Sequence, residues 1–180
     1  MTAQSAQLFF SLLTLLALAV LVVVVLPWVA RGVRPVVWDT IEPLRLPLAA
    51  AVATTAMVGS LYFSEVANYQ PCTLCWYQRI LMYSSAIVLV IAAVRRDVDV
   101  RRYVIPLAGI GMAVSAYHVL VERFPDVFEN HKVCELSIPC AFTWFKRFGF
   151  VTLPVMALIG FATIIALLAV PAPTLQEDPE

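Results

Sequence analysis

Long apolar runs alternate with short polar stretches along this chain. Five runs are long enough to cross a hydrocarbon core that needs about 20 helical residues; they span residues 8–26, 46–63, 75–94, 103–121 and 150–170. Every backbone polar group in lipid must be paired internally, so helices are favoured over strands. The short alternating segments of a membrane β-barrel are not seen in the sequence. The pattern predicts an all-α integral membrane protein.

Composition agrees with this class. The chain has 180 residues, of which 62% are hydrophobic and 13% are charged, whereas a soluble domain carries about a quarter charged residues. The mean hydropathy is +0.88. The formal net charge is zero, which gives no argument for a nucleic acid or an acidic partner.

The first apolar run is interpreted as a membrane helix rather than a cleaved signal peptide. Residues 1–7 contain no Lys or Arg, and the run of 19 residues is longer than a typical signal-peptide core. Arg31 and Arg34 follow the run instead of preceding it. We expect an uncleaved helix whose N-terminus lies outside the cell.

The distribution of basic residues predicts the orientation of the other helices. Three arginines lie in the linker 27–45 and four in the loop 95–102, whereas the loop 64–71 has no basic residue. Loops rich in Lys and Arg stay in the cytoplasm. The loop 122–149 carries four basic residues and weakens the bias. We therefore predict a multi-pass plasma membrane protein with a cytoplasmic C-terminus.

By this topology all four cysteines lie on the extracytoplasmic side, where disulfides persist. They form two close pairs, Cys72 with Cys75 and Cys134 with Cys140.

Three parts are predicted along the chain. Residues 1–45 hold an extra transmembrane helix and a Pro- and Arg-containing cytoplasmic connector, 46–170 form a four-helix membrane domain joined mostly by short connections, and 171–180 are a disordered cytoplasmic tail.

The first cysteine pair opens a helix directly after Pro71. Residues three apart on a helix share a face, so the two sulfurs are close enough to bridge. The unpaired N–H groups at a helix start stabilise a thiolate, which is the species that attacks a disulfide or donates electrons. The spacing thus predicts a redox-active dithiol.

Two polar residues lie near this dithiol in the predicted helices. Arg79 shares the helix face of Cys72 and Cys75, and it either extends to the lipid headgroups or stabilises a thiolate and the reduced oxygen of a bound acceptor. His118, near the outer end of the fourth run, is either a packed interfacial histidine or a group that hydrogen-bonds or protonates the acceptor. Glu65 is interpreted as an interfacial carboxylate.

The second pair encloses only five residues. A small loop constrains little chain entropy, and short, exposed disulfides are more often reducible, so a working disulfide is favoured over a structural one. Phe142, Trp144 and Phe145 are expected to lie along the membrane surface and hold this pair near the first. The alternative is a zinc site formed by four thiolates with His131 nearby, which the unequal spacings disfavour.

The run Pro71-Cys72-Thr73-Leu74-Cys75-Trp76-Tyr77-Gln78-Arg79-Ile80 resembles the helix-opening motif of the DsbB family of membrane disulfide-forming oxidoreductases, above all its short BdbC-type members. The segments 59–65 and 102–106, Tyr117-His118, Ile138-Pro139-Cys140 and 144–150 with Pro154 are similar to that group as well. The similarity covers about residues 46–170. Vitamin K epoxide reductase-like proteins differ, because their loop cysteines precede the membrane Cys-x-x-Cys.

The resemblance implies a four-helix bundle that binds a quinone, either ubiquinone or menaquinone, near the outer membrane surface. Cys72 and Cys75 would then reduce the quinone, with Arg79 and His118 beside it. Cys134 and Cys140 would exchange disulfides with a thioredoxin-fold partner of the DsbA/BdbD type, and no metal is implied.

The sequence departs from that family in two respects: residues 1–45 lie outside the family pattern, and the second pair is closer together than in the longer members. A non-catalytic membrane scaffold with structural disulfides or a metal site is the alternative function.

Overall fold

A computed structural model describes residues 2–29, 34–128, 134 and 138–171. Within these ranges the chain forms seven α-helices and their connecting turns: α1 (Ala3–Val29), α2 (Arg34–Ile41), α3 (Arg45–Leu61), α4 (Thr73–Arg95), α5 (Arg101–Arg123), α6 (Pro125–Phe128) and α7 (Leu153–Ala169). A π-helical turn, Tyr62–Val66, extends α3, and 3-10 turns lie at Glu42–Leu44 and Val98–Val100.

The predicted apolar runs coincide with helices. In the described part of the chain, four stretches are long and apolar enough to cross a membrane: Ala3–Trp28, Val37–Val66, Thr73–Arg95 and Val98–Arg123. The fifth run forms α7, which is apolar and has 17 residues, at the lower end of the length that spans a bilayer. The prediction of an all-α integral membrane protein is confirmed.

Four helices close into a bundle. α3 packs on α4, α4 on α5, α5 on α7, and α7 on α3, which is the arrangement expected when short connections make neighbours antiparallel. α1 lies outside this ring and packs along α7. The predicted four-helix bundle with one additional N-terminal helix is confirmed, and the structure supplies the position of α1, which the sequence does not.

The tightest contact in the bundle joins α5 and α7. The ring of Phe161, which is fully buried, lies against Gly111 so closely that a Cβ atom at position 111 would overlap it. Small residues allow such close approach between membrane helices, where packing rather than water drives association.

The connector 27–45 is more helical than the sequence indicates. α1 continues through Pro27 to Val29, and the separate helix α2 precedes α3. Pro35 is the second residue of α2, where its fixed φ angle and missing N–H are compatible with the first helical turn. The connector thus contains helical segments that its composition does not predict. The predicted tail 171–180 lies outside the described residues beyond Pro171.

The two ends of the bundle have different chemistry. At one end, here called the cysteine end, the start of α4 lies near the end of α5, and Gln7 Nε2 of α1 donates to the Tyr69 hydroxyl at 2.6 Å. At the other, here called the arginine end, the loop 95–102 connects α4 to α5, and Arg45 Nη1 donates to the Val170 carbonyl at 2.8 Å.

Candidate functional site

Cys72 is the N-cap residue of α4. Its backbone is extended (φ −73°, ψ 173°), and its Sγ accepts the Cys75 N–H at 3.3 Å. The sulfur thus takes the place of the hydroxyl or carboxylate oxygen that usually caps a helix. Cys75 lies one turn later, and the two Sγ atoms of these free thiols are 2.9 Å apart. The two thiols thus lie at a helix start and close together, as their spacing indicates, and their redox activity stays a prediction.

The environment of Cys72 favours its thiolate. The hydrogen bond with the Cys75 thiol is the main cause that lowers the pKa of Cys72 from 9.0 to about 4; the nearby His118 side chain and the Cys75 N–H lower it further, and burial opposes them. A thiol with such a pKa is ionised at neutral pH, which makes it both a competent nucleophile and a good leaving group.

His118 connects the two cysteine pairs. Its Nδ1 lies 3.0 Å from the Gln78 amide nitrogen, which can only donate, so Nε2 carries the proton. Nε2 lies 3.1 Å from the Cys140 carbonyl oxygen and 3.7 Å from Cys72 Sγ. The imidazole is 3% exposed. It lies on the side of the dithiol that faces the second pair.

Cys134 and Cys140 form a disulfide. The expectation that this disulfide is exposed is wrong, because Cys134 is 8% exposed and Cys140 is 1% exposed. Both pack with Cys72 and with Leu74 and Val121 in one buried cluster. The apolar ends of α4 and α5 thereby cover the sulfurs, which spacing in the sequence does not reveal.

Glu122 anchors the segment that follows the disulfide. Its carboxylate accepts hydrogen bonds from the Thr143 hydroxyl at 2.7 Å and from the Thr152 hydroxyl at 2.6 Å. One oxygen thus holds the loop after Cys140, and the other holds Thr152, which lies at the N-cap position of α7. Hydrogen bonds to a charged acceptor are stronger than those between neutral groups, so this carboxylate fixes the loop on α5.

Aromatic side chains cover the cysteine end beside this loop. Trp144 stacks on Tyr69 with ring centres 4.5 Å apart, and Phe145 is buried against Phe63 at 5.5 Å. Phe142 remains exposed. The aromatic residues therefore hold the loop by packing on the end of α3, and only Phe142 has the exposure expected of a residue that lies along a membrane surface.

A cavity of about 340 Å³ lies on the opposite side of the dithiol. Its walls come from α1, α3, α4 and α7, and they are mostly apolar. Cys75 lines this cavity, whereas Cys72 does not. The polar side chains of its wall are concentrated toward the cysteine end: Ser60, Ser64, Gln78, Arg79 and Tyr83.

Arg79 is held inside the bundle. Its Nη2 donates to the Ser64 hydroxyl at 2.7 Å and its Nε to the Tyr83 hydroxyl at 2.9 Å, and the guanidinium lies 5.0 Å from the centre of the Trp76 ring. Among the described residues, no carboxylate lies within 4 Å of the Arg79 guanidinium. A buried cation whose partners are neutral is able to stabilise negative charge that develops in the cavity.

The residues present fit a quinone better than a metal. An apolar cavity with a cation and a thiol at one end matches an apolar molecule that carries reducible oxygens. The donor atoms of Cys72, Cys75 and His118 lie within 4.8 Å of one another and could hold a thiophilic metal. The four-thiolate zinc site, however, requires Cys134 and Cys140 as thiolates, and both are in a disulfide. His131 lies outside the described residues.

Sequence reasoning missed the side chains that hold Arg79 and His118. Gln78, Ser64 and Tyr83 are polar residues in otherwise apolar helices, which is the signal that could have identified them. Ser64 also donates to the exposed Glu65 carboxylate at 2.9 Å, so it links Arg79 to the residue interpreted as interfacial.

Comparison with known proteins decides the family. The family model for disulfide bond formation protein DsbB matches residues 44–170. The chain belongs to the DsbB family. It is 47% identical over 114 residues to "Disulfide bond formation protein C" of Bacillus subtilis, an alignment that covers 63% of this chain and 82% of that protein. No solved structure matches the chain.

Other relatives carry related names. The chain is 45% identical over 112 residues to "Probable disulfide formation protein C" of Halalkalibacterium halodurans, with 62% of this chain and 81% of that protein covered. It is 38% identical over 128 residues to "Probable disulfide formation protein C 2" of Bacillus anthracis, with 71% and 90% covered. The resemblance to the DsbB family and its short BdbC-type members is confirmed, and this DsbB family protein is a membrane thiol–disulfide oxidoreductase.

Proposed function

We propose that this DsbB family member oxidises an extracytoplasmic dithiol protein and passes the electrons to a membrane quinone. One observation carries the proposal: Cys72 packs against the Cys134–Cys140 disulfide, and Cys75 lines the apolar cavity with Arg79. Cys75 also packs against the cysteine cluster, but of the two thiols only Cys75 lines the cavity, so it is the one in position to pass electrons to an acceptor there.

The first exchange takes place at the second pair. A thiolate of the partner attacks the Cys134–Cys140 disulfide, and the second partner thiol resolves the mixed disulfide. The partner gains a disulfide, and Cys134 and Cys140 become thiols that hold the two electrons. Because this disulfide is buried against the ends of α4 and α5, we propose that binding of the partner separates the disulfide from these helix ends. Thioredoxin-fold oxidases of the DsbA/BdbD type are the partner class we propose.

The second exchange takes place inside the bundle. A thiolate of the second pair attacks Cys72 Sγ in the oxidised Cys72–Cys75 pair, and Cys75 leaves as a thiol. The remaining thiol of the second pair then displaces Cys72, so the Cys134–Cys140 disulfide is restored. The lowered pKa of Cys72 favours this last step, because a stable thiolate leaves readily. His118 is positioned to donate a hydrogen bond to the departing sulfur.

Arg79 and Cys75 would hold the ring of the quinone at the polar end of the cavity. When bound, a quinone accepts two electrons and two protons, which matches the oxidation of one dithiol. Ser64 and Tyr83 hold Arg79 at this end of the cavity, where its charge would stabilise negative charge on the oxygens of such a ring. Gln78 also lines this end of the cavity. The sequence analysis places His118 beside the quinone, and this stays a prediction. In the structure, the imidazole lies on the side of the second cysteine pair.

The orientation of the bundle is part of the proposal. The arginine end carries the loop 95–102 with its four arginines, which favours the cytoplasm. The cysteine end then lies outside, together with the start of α1. The disulfide between Cys134 and Cys140 supports an oxidising compartment at that end.

Quinone stoichiometry tests the proposal. Fully reduced wild-type protein should convert two molecules of quinone to quinol and regain both disulfides, since it carries four thiols. The Cys134→Ala, Cys140→Ala double variant should convert one, because only Cys72 and Cys75 remain. Cys72→Ala, Cys75→Ala should convert none at a comparable rate. Equal quinone consumption by all three proteins would contradict the assignment of Cys75 as the electron donor.

A further inference from the structure

The cavity is shaped for a molecule longer than a quinone ring. Residues from Leu48 of α3 to Ser64 of the π-helical turn line it, and these span about 24 Å along the helix axis at about 1.5 Å per residue. Apart from Thr14 and Thr55, the polar residues of the wall lie toward the cysteine end, while Leu48 and Leu167 lie toward the arginine end. A polar ring followed by an apolar chain therefore matches the cavity in length and in polarity.

α1 supplies one wall of this cavity. Six of its residues line it: Phe10, Leu13, Thr14, Leu16, Ala17 and Val20. Most are spaced three or four residues apart and so lie on one helix face. The hydroxyl of Thr14 donates to the Phe10 carbonyl at 2.8 Å, so it presents no free donor to a ligand. This wall is chemically suited to hydrocarbon.

α1 is fixed in place at several points. Gln7 Nε2 donates to the Tyr69 hydroxyl at 2.6 Å. The Thr163 hydroxyl of α7, which donates to the Ile159 carbonyl at 2.7 Å, also lies 3.3 Å from the Ala17 carbonyl oxygen. The Phe10 ring lies so close to α3 that a Cβ atom at Gly59 would be 2.8 Å from it. α1 is therefore a built part of the cavity, although it precedes the residues 44–170 that match the family.

The cavity opens sideways between α1 and α3. α1 has an extended interface with α7, and α3 has extended interfaces with α4 and α7, but α1 and α3 share no comparable interface among the described residues. Leu16 of α1 is 59% exposed, Ala51 of α3 is also exposed, and both line the cavity. Leu16 and Ala51 thus flank an opening, here called the lateral mouth, at a level that faces the lipid.

We propose that α1 and α3 bind the apolar tail of the acceptor and that the tail leaves the bundle through the lateral mouth between Leu16 and Ala51. This inference rests on the proposed function, because it assumes that the acceptor is a tailed quinone. It assigns α1 a role in acceptor selection: α1 retains long-tailed quinones and contributes little to the binding of a ring without a tail.

Bulky substitutions at the lateral mouth test the proposal in full-length protein reconstituted in lipid nanodiscs. Leu16→Trp and Ala51→Trp should lower the amount of menaquinone with a four-isoprene tail that stays bound after washing, by about tenfold. Turnover with menadione, which has no tail, should stay within about twofold of wild type, since the ring site is unchanged. Leu12→Trp and Val58→Trp are matched controls, because both positions are exposed on the same helices without lining the cavity.

A second measurement uses the wild-type protein alone. Menaquinone with a photoreactive group in its tail should label peptides of α1 and α3, identified by mass spectrometry. Labelling confined to α5, or equal menaquinone retention by mouth variants and controls, would overturn the role of α1. If wild-type protein oxidises its thiols with neither menaquinone nor menadione, nor with their ubiquinone counterparts, the proposed function itself fails, and this inference fails with it.

Discussion

The two sides of the first turn of α4 differ in almost every property. On the side of Cys72 there are a buried disulfide, an imidazole and an anchored loop, all supplied by the protein. On the side of Cys75 there is a mostly apolar cavity with one cation at its polar end. The comparison shows how one helical turn can separate two reactions: an exchange between protein sulfurs and an electron transfer to a lipid-soluble acceptor.

The largest effect expected from this difference is at Cys75. Cys75→Ser should lower the single-turnover rate of quinone reduction by about 1000-fold or more, since removal of a reacting group leaves only binding contributions. The measurement is stopped-flow absorbance with pre-reduced protein and a soluble quinone. The Cys134→Ser, Cys140→Ser variant is the control and should keep the wild-type rate. A wild-type rate in Cys75→Ser would remove the distinction between the two sides.

A smaller effect is expected at Arg79. Arg79→Gln should raise the KM for quinone by about 10- to 100-fold, because a charge-assisted hydrogen bond contributes about 1.5–3 kcal/mol, while exchange between the two cysteine pairs should continue. Arg79→Lys keeps the charge and should recover part of the affinity. Arg123→Gln, an exposed arginine at the same end of the bundle, is the matched control. An unchanged KM in Arg79→Gln would show that the guanidinium serves packing alone.

The ionisation of Cys72 tests the opposite side. Since its pKa is lowered to about 4, the reduced protein should keep the ultraviolet absorbance of a thiolate as the pH falls, and should lose it only as the pH passes through about 4. Cys75→Ala removes the thiol hydrogen bond, which is the largest cause, and should move this midpoint upward. His118→Asn should move it upward by less. A wild-type midpoint near the ordinary thiol value would show that Cys72 is not a stabilised thiolate.

The smallest effect concerns the loop anchor. Glu122→Gln replaces the charged acceptor of the Thr143 and Thr152 hydroxyls and should lower the free energy of unfolding in detergent by about 1 kcal/mol. Asp126→Asn, an exposed carboxylate on α6, is the control and should leave it unchanged. If the two variants have equal stability, Glu122 does not anchor the loop.

Sequence predicted the helices and the dithiol well, because both depend on local chemistry. Apolar length defines a membrane span, and Cys72 caps its helix through bonds to the next turn. The position of α1 was not predictable, because its sequence is apolar on all sides and periodicity then indicates no preferred neighbour.

The contacts of His118 and the burial of the disulfide were also beyond the sequence. Both depend on how the segment after Cys140 folds back on α5, which is held by Glu122, Trp144 and Phe145. Such contacts join residues far apart in the chain, so the spacing of residues within one segment does not predict them. The side chains around Arg79 were visible as polar residues in apolar helices, but their partners were not.

The central claim is that Cys72 exchanges with the second pair and Cys75 serves the cavity. It is tested most directly by mapping the mixed disulfides that form when one thiol of the first pair is removed. In Cys75→Ala, non-reduced peptide mass spectrometry should find Cys72 linked to Cys134 or Cys140, because no second thiol competes for Cys72. In Cys72→Ala, Cys75 should remain a free thiol. A linkage of Cys75 to the second pair at an equal or higher yield would contradict the account.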